Sequence, residues 1–362
     1  MESIALVKLE NLKHNLEYLN KKSSKVDIMP VIKANAYGHG SLQIAKYLSN
    51  LNQYIFCVAT ESEIIELAET NLENDAHILH LGKVSEEFKT FHYKNIIYTI
   101  NDIDDVDILI SKSIKFNTQI NCHVKVDTGM NRMGVEYKSY KNILDSVFNS
   151  KELCFQSIYS HLSCSDDKES DYNMIQIKRF QKIIDYVNAK KYMCNFHLFN
   201  SSGLYNFSNF NFDFVRLGLS IYGICPLNHI DKNLKPVLEF LAPVKLIKNV
   251  YKGESIGYGS TFIAEKNMKI GIIQSGYADG IPLNFANSGK VRFKNTYYPI
   301  IGRISMDLTC IKIDNNIKLN DFVTIWGGDD DEMKIETISK KFNILPYALI
   351  TGISQRVKRI YE

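Results

Sequence analysis

Short apolar runs alternate with amphipathic segments through the first two thirds of the chain. After a first strand at 3–9, the runs predict eight further strands at 27–33, 54–59, 76–81, 96–100, 119–126, 155–160, 195–199 and 214–217. Between them, segments such as 61–70 and 172–190 repeat their apolar residues at helical spacing. Strands that alternate with helices in this way form parallel sheets. Eight such units in about 230 residues predict an α/β fold, a TIM (β/α)8 barrel.

The pattern changes after about residue 236. Short β-rich runs at 244–250, 270–274, 290–293, 297–301, 308–313 and 322–326 are separated by Gly, Asn and Asp, with one helical stretch at 335–342. We therefore predict two domains, a barrel at 1–235 and a mostly β C-terminal domain at 236–362. The linker is predicted at 228–235, and the strand at 3–9 is expected to pack with the C-terminal domain.

Composition narrows the class of protein. Hydrophobic residues make up 45% of the 362, enough for a sizeable core, and the net charge of +3 gives no reason to expect a nucleic acid or membrane partner. The seven cysteines form no C-x-x-C pair, which favours reduced thiols and no metal site. Without a cationic leader or a long apolar stretch, a soluble cytoplasmic protein is expected. The alternative is a soluble segment of a larger, membrane-anchored chain.

The first predicted barrel strand ends in a lysine and a glycine-rich turn. Residues 30–40 are PVIKANAYGHG, in which Lys33 is followed by Tyr37, Gly38 and Gly40. Loops at the carboxyl ends of barrel strands carry the chemistry of this fold, so Lys33 is a candidate to bind a carbonyl group covalently. The alternative is an ordinary lysine at a strand end, with its stem against apolar residues and its amine in water.

Other polar side chains follow other strands of the same scheme. They are Lys125 to Gly129 after the fifth strand, His161 after the sixth, 200–203 (NSSG) after the seventh, and Arg216 in the eighth. Each alone could be structural, for example a buried histidine or a helix cap, but together they converge on one end of the barrel. The turns at Ser201 and Gly218 resemble the phosphate site of many such barrels. A lysine beside a phosphate site favours pyridoxal phosphate, whose aldehyde reacts with an amine.

Seven motifs then occur in the order and spacing of one family. They are PVIKANAYGHG, VKVDTGMNRMG (124–134), HLFNSSG (197–203), VRLGLSIYG (215–223), IGYGSTF (256–262), GYADGIP (276–282) and GRISMD (302–307). Together they resemble alanine racemase, a pyridoxal phosphate enzyme of fold type III. The resemblance runs from about residue 5 to residue 360. It implies interconversion of L- and D-alanine, which supplies D-alanine for cell-wall peptidoglycan.

The resemblance implies a set of cofactor-binding residues. Lys33 is similar to the lysine that binds the cofactor covalently and acts as one of two bases. Arg216 matches the arginine that hydrogen-bonds the pyridine nitrogen, and His161 the imidazole beside the ring. The remaining positions of the cofactor site are Tyr37, Asn200, Ser201, Gly218, Leu219 and Gln355.

It also implies a substrate site shared between two subunits. Arg132 matches the arginine near the substrate carboxylate, and Lys125 the lysine that is carbamylated in many members. Tyr258 is similar to the second base, which reaches the cofactor from the partner subunit of a homodimer. The other implied substrate-site residues are Met306, Asp307 and Tyr277, of which Tyr277 could equally be a core aromatic.

One position departs from the family pattern. Gln355 stands where the family usually has the tyrosine of an SYR-type motif. An amide there adds a donor and an acceptor and removes an aromatic wall, so a serine racemase or an alanine/serine racemase is an alternative. A racemase for basic amino acids, a decarboxylase of the same fold type and a non-catalytic pyridoxal phosphate carrier are further alternatives. The carrier proteins lack the β domain, and Arg132 would retain the carboxylate that a decarboxylase removes.

Overall fold

The structure is a computed structural model that describes residues 2–23, 26–70, 72, 76–210 and 212–362. The chain divides into two compact units. The barrel unit comprises Leu16–Ala36 and Ser41–Ile221, and the β unit comprises Met1–Asn15, Tyr37–Gly40 and Tyr222–Glu362.

The strands of the described residues run from β1 to β19 in chain order. They are β1 (Ile4–Val7), β2 (Asp27–Pro30), β3 (Ile55–Val58), β4 (His77–His80), β5 (Ile96–Ile100), β6 (Ile120–Asp127), β7 (Val135–Glu136), β8 (Leu153–Tyr159), β9 (Asn195–His197), β10 (Phe214–Leu217), β11 (Leu238–Val250), β12 (Ser255–Ile256), β13 (Phe262–Ile263), β14 (Met268–Ile273), β15 (Lys290–Phe293), β16 (Thr296–Ile301), β17 (Thr309–Ile313), β18 (Phe322–Gly327) and β19 (Lys358–Tyr361).

The helical segments follow in the same order. They are α1 (Leu9–Lys22), α2 (Lys33–Tyr37), α3 (Ser41–Asn50), α4 (Glu61–Ala68), α5 (Ile103–Phe116), α6 (Tyr140–Asn149), α7 (Asp171–Ala189), α8 (Ser201–Asn206), α9 (Ile335–Phe342) and α10 (Pro346–Thr351). Segment α2 is a single left-handed turn, because Ala34, Asn35 and Ala36 all have positive φ.

Eight parallel strands of the barrel unit confirm the predicted barrel. Their order is β2-β10-β9-β8-β6-β5-β4-β3, and a parallel bridge between Val31 and Cys57 joins the two ends. The Ile32 amide donates to the Cys57 carbonyl at 3.0 Å beside that bridge. Because all eight strands run the same way, their carboxyl ends lie at one end of the barrel, as the sequence analysis requires.

The first barrel strand is shorter than predicted. The sequence predicts a strand over 27–33, but β2 ends at Pro30 and Lys33 begins the left-handed turn. The apolar run continues past the strand because Val31 and Ile32 remain buried where the barrel closes. Burial and strand pairing therefore end at different residues.

The β unit is built on an eight-stranded sheet. Its order is β14-β17-β16-β15-β18-β11-β1-β19, and β14 also pairs with β11, so the strands from β14 to β11 close on themselves. Phe240 and Trp326, both fully buried, pack edge to face at 5.5 Å in its core. The N-terminal strand β1 lies between β11 and β19, so the C-terminal half of the chain forms its sheet with a strand from the N-terminus.

The long strand β11 differs from its prediction. The sequence predicts 244–250, whereas β11 begins at Leu238. Pro243 lacks an N–H and interrupts the sequence pattern. Register shifts between Phe240 and Leu241 and between Val244 and Leu246 let the strand continue past this proline.

Among the described residues, no helix combines the length and the apolar character that crossing a bilayer requires.

Candidate active site

Lys33 stands at the start of a strained turn. Ala34, Asn35, Ala36 and Tyr37 all have φ between +51° and +55°, and each left-handed residue other than glycine costs about 1–2 kcal/mol. The turn contains no glycine until Gly38, which has φ +85° and where a Cβ would lie 2.1 Å from the Ile350 carbonyl oxygen. The conformation is therefore imposed by contacts outside the turn.

The amine of Lys33 is half-buried and close to other cations. Burial lowers its pKa from the ordinary value, and the charge of Arg132 lowers it further. The negative charge of Glu63 acts in the opposite direction without cancelling these effects, and the nearby Cys57 thiol stays neutral because burial raises its pKa to about 12. A lowered pKa increases the share of neutral amine, the form that attacks a carbonyl or accepts a proton.

Arg216 lies in the barrel with acceptors on every side. Its guanidinium donates to the Ser160 carbonyl at 2.7 Å and the Leu198 carbonyl at 3.2 Å, and to Nδ1 of His197 at 2.6 Å and of His161 at 3.2 Å. Arg216 is 4% exposed, and the acceptors of these hydrogen bonds are carbonyl oxygens and imidazole nitrogens, not carboxylates. Neutral groups therefore hold a full positive charge at the carboxyl end of β10.

The imidazoles of His197 and His123 continue the hydrogen bonds of Arg216 inside the barrel unit. Because Arg216 only donates, Nδ1 of His197 accepts and its Nε2 carries the proton. That Nε2 lies 3.2 Å from Nδ1 of His123, which accepts in turn. The ring of His197 also stacks on Tyr159 at 4.6 Å, with 10° between the planes. The arginine thus sets the tautomers of two buried histidines in sequence.

We expect these imidazoles to make stability sensitive to acid. Burial lowers the pKa of His123 to about 3 and that of His197 well below its ordinary value. In the unfolded chain both recover a pKa of about 6.5, so unfolding takes up protons below that pH. The free energy of unfolding should therefore fall by about 1 kcal/mol per pH unit for each imidazole between pH 6.5 and 5, with a slope that approaches about 1.4 kcal/mol per pH unit as the unfolded imidazole becomes fully protonated.

Urea unfolding at pH 7.5 and 5.5 measures this loss. His123→Asn should show a smaller decline between the two pH values than the parent, because one titrating group is gone. His92→Asn, at an exposed position, serves as the control and should leave the decline unchanged. Equal declines in the parent and in His123→Asn would contradict the expectation.

His161 faces the same cluster of charges. Burial lowers its pKa well below the ordinary value, and the charges of Arg216, Arg132, Lys125 and Lys33 act in the same direction. The imidazole is therefore neutral. With Nδ1 accepting from Arg216, its Nε2 carries the proton and is a donor. The Asn200 amide nitrogen, 3.5 Å from Nε2, is also a donor, so the two do not form a hydrogen bond in this tautomer.

Lys125 and Arg132 flank the cluster. Burial lowers the pKa of Lys125 to about 8, with further lowering by the charges of Arg216 and Arg132. Its neutral form, which carbamylation requires, is therefore accessible near neutral pH. Arg132 is exposed on the loop after β6, and this loop is held where Arg179 donates to the Thr128 carbonyl at 2.9 Å.

The last two strands bring a hydroxyl and backbone amides together. Asn200 caps α8 by accepting from the Gly203 amide at 2.9 Å, as its residue type favours. The Gly218 amide, after β10, donates to the Ser201 hydroxyl at 3.2 Å. Leu219 follows and is buried. These donors at the carboxyl ends of β9 and β10 match the predicted phosphate position.

The other predicted site residues belong to the β unit. Tyr258 is 71% exposed, on a turn between β12 and β13. The loops of Tyr277 and Met306 are joined, because the Tyr277 amide donates to the Ser305 carbonyl at 3.1 Å and the Ala278 amide to the Met306 carbonyl at 3.0 Å. Both side chains are exposed, so Tyr277 is not a core aromatic.

An arginine orders the segment that contains Gln355. Arg356 bonds Asp279 at 2.7 Å and Asp307 at 2.5 Å, which joins this segment to the loop of Met306. Gln355 itself is exposed. Tyr37 is buried in the same unit, with its ring 5.3 Å from that of Tyr222.

Sequence reasoning missed several residues that shape the site. His197, His123 and Tyr159 resemble ordinary strand residues in the sequence, and only the pairing of β6, β8, β9 and β10 shows that they lie near Arg216. Glu63 was also missed, although Thr60-x-x-Glu63 is the pattern of a helix capping box. The structure contains that box and adds a bond from Glu63 to the Ala34 amide at 2.6 Å.

Both parts of the chain match known domains. Residues 7–226 match the alanine racemase N-terminal domain and residues 237–361 the alanine racemase C-terminal domain. An alanine racemase from Vesicomyosocius okutanii is 33% identical over 99% of this chain and 98% of its own length. Alanine racemase 2 of Caldanaerobacter subterraneus is 31% identical over 98% of this chain and 93% of its own length.

Solved structures agree with these matches. The alanine racemase of Clostridium difficile has a TM-score of 0.92 at 26% identity and covers 100% of this chain and 96% of its own. The alanine racemase of Bartonella henselae, with covalently bound pyridoxal phosphate, has a TM-score of 0.87 at 27% identity and full coverage of both chains. The chain therefore belongs to the alanine racemase family of pyridoxal phosphate-dependent isomerases.

Proposed function

We propose that this protein interconverts L- and D-alanine, with Lys33 of one subunit and Tyr258 of the partner as the two bases, and so supplies D-alanine for peptidoglycan. The observation that carries the proposal is the half-buried amine of Lys33 at the carboxyl end of a barrel that also holds Arg216 among neutral acceptors. Circular dichroism of L-alanine incubated with the purified protein and pyridoxal phosphate tests it. Loss of the L-alanine signal without loss of alanine is the expected result.

The residues present fit the cofactor. Lys33 supplies an amine for the aldehyde, and burial lowers the pKa of that amine. The Ser201 hydroxyl, which accepts from the Gly218 amide and so keeps its own proton free to donate, and the Leu219 amide supply donors for the phosphate. Arg216 would donate to the pyridine nitrogen without protonating it, because a guanidinium keeps its proton. When bound, pyridoxal phosphate withdraws electrons from the substrate and acidifies its α-proton.

Racemisation needs a base on each face of the α-carbon. In one direction the neutral amine of Lys33 takes the proton from one face and the phenol of Tyr258 gives its proton to the other. In the reverse direction the Tyr258 phenolate takes the proton and the Lys33 ammonium gives one. Arg132 would hold the substrate carboxylate. His161, whose Nε2 carries a proton and whose Nδ1 bonds Arg216, would link the tyrosine to the arginine.

The surface of the β unit supports a homodimer. Several large apolar side chains there are more than 40% exposed, and burying such surface is what drives association. They include Tyr258, Ile263, Leu283, Met306, Leu308 and Leu345. A partner that covers them would bring Tyr258 to a site other than its own.

Subunit mixing tests whether the two bases come from different chains. Lys33→Ala and Tyr258→Phe homodimers should each be nearly inactive. After joint refolding in equal amounts, half of the dimers are mixed and each has one site with both bases, so about a quarter of wild-type activity should return. Each variant refolded alone is the control, and mixtures that stay inactive would contradict a shared site.

Serine is a second candidate substrate because of Gln355. Its exposed amide lies next to Arg356, which bonds Asp307 beside Met306, and an amide can bond a hydroxyl. We expect Gln355→Tyr to lower kcat/KM for L-serine relative to L-alanine by about 10-fold. Gln43→Tyr, at an exposed position on α3, should leave the ratio unchanged. If Gln355→Tyr leaves it unchanged too, Gln355 has no role in selectivity.

A further inference from the structure

Glu63 connects two segments of the barrel unit. It lies in the first turn of α4, and its carboxylate accepts three backbone amides. One oxygen accepts from Ala34 at 2.6 Å, and the other from Ala59 at 2.7 Å and Thr60 at 3.1 Å. The Ala34 amide belongs to the left-handed turn after Lys33, whereas the other two follow β3.

The hydrogen bond from the Ala34 amide to Glu63 stabilises a backbone conformation that the residues of the turn do not favour by themselves. The turn is left-handed at four successive residues other than glycine, and such strain persists only where the surroundings hold it. Ala34 is the first of the four, directly after Lys33, so a bond to its amide acts where the turn begins. A carboxylate forms stronger bonds to amides than a neutral acceptor does.

We propose that Glu63 is a positioning residue that stabilises the left-handed turn and thereby orients the amine of Lys33. The inference rests on the role proposed above for Lys33. A purely structural reading exists, since Glu63 also completes the capping box of α4. Thr60 separates the two interpretations, because its hydroxyl accepts from the Glu63 amide at 3.3 Å and so caps the same helix, whereas the amide and hydroxyl of Thr60 bond Glu63 and Ser62 and not the turn.

Four single variants of the holoenzyme test the proposal. Glu63→Gln keeps the size of the side chain but turns one oxygen into a donor, which then opposes an amide of the turn or of β3. We expect it to lower kcat by about 10²-fold with KM changed less than threefold, as for a misplaced catalytic group. Thr60→Ala and Glu66→Gln, the latter exposed on the same helix, should each change kcat less than threefold. Lys33→Ala is the fourth variant and tests the proposed function itself.

Glycine at the first position of the turn gives a readout that a helix cap would not move. Ala34→Gly removes the strain at φ +51°. Added to Glu63→Gln, it should therefore raise kcat at least tenfold above that of Glu63→Gln alone. The visible circular dichroism of the bound cofactor, which reports its asymmetric setting, should weaken in Glu63→Gln and recover in the double variant.

The outcomes separate this inference from the proposed function. Equal losses in Thr60→Ala and Glu63→Gln, or an unchanged visible signal in Glu63→Gln, would overturn the role of Glu63. Failure of Ala34→Gly to restore either readout would overturn it as well. Full activity in Lys33→Ala would instead overturn the proposed function, whatever the other variants do.

Discussion

Lys33→Ala is expected to lower kcat for alanine racemisation by about 10³-fold or more. The substitution removes both the covalent attachment of the cofactor and one of the two proposed bases, and a single general base contributes about 10²–10⁴-fold. Burial and the charge of Arg132 lower the pKa of Lys33, which increases the share of neutral amine that can act as a base. Racemisation followed by circular dichroism, together with the visible absorbance of lysine-bound cofactor, measures the two effects separately.

An exposed lysine provides the control for that variant. Lys46→Ala lies on α3 and should retain wild-type kcat and visible absorbance. Adding methylamine to Lys33→Ala should restore part of the activity, because a small amine can replace the missing base. Activity of Lys33→Ala within tenfold of wild type, without added amine, would refute the role of this lysine.

Arg216→Met is expected to destabilise the protein by about 3–5 kcal/mol. The guanidinium is buried, and removing it leaves the Ser160 and Leu198 carbonyls and two imidazole nitrogens without this donor. Each buried acceptor that loses its donor costs about 1–3 kcal/mol, and part of this cost is offset because the buried charge itself is also removed. Thermal unfolding in the absence of cofactor isolates the structural effect and should show a midpoint lower by about 6–12 °C.

Arg132→Met separates stability from chemistry. Arg132 is exposed, so its loss should leave the midpoint within about 2 °C of wild type, since surface substitutions change stability little. It should nevertheless raise KM for alanine, because its proposed partner is the substrate carboxylate. An unchanged midpoint in Arg216→Met would show that the acceptors around this arginine find other donors.

The convergence of the candidate residues could be predicted because it depends on strand direction alone. In a parallel barrel every strand ends on the same side, so residues placed at strand ends must meet. The charges of Arg216, Arg132, Lys125 and Lys33 all act on the pKa of His161, as that prediction requires.

The conformation around Lys33 could not be predicted in the same way. Alanine and tyrosine have no preference for the left-handed region, so local propensity predicts a strand that continues to Lys33. The Glu63 carboxylate, 29 residues from Ala34 along the chain, bonds the turn instead. The tautomers of His197 and His123 depend likewise on Arg216, which bonds His197 from the neighbouring strand β10, while His197 bonds His123 in turn.

Periodicity and motif order were sufficient to predict the barrel, the β-rich C-terminal domain, the family and the candidate residues. Those features follow from the alternation of apolar positions and from residue types at strand ends, which are local properties of the chain. Only the tertiary structure showed the left-handed turn, the two hydrogen-bonded neutral imidazoles, and the partners of Glu63 and Arg216. They depend on hydrogen bonds between residues distant in sequence, whose free energies outweigh the local backbone preference.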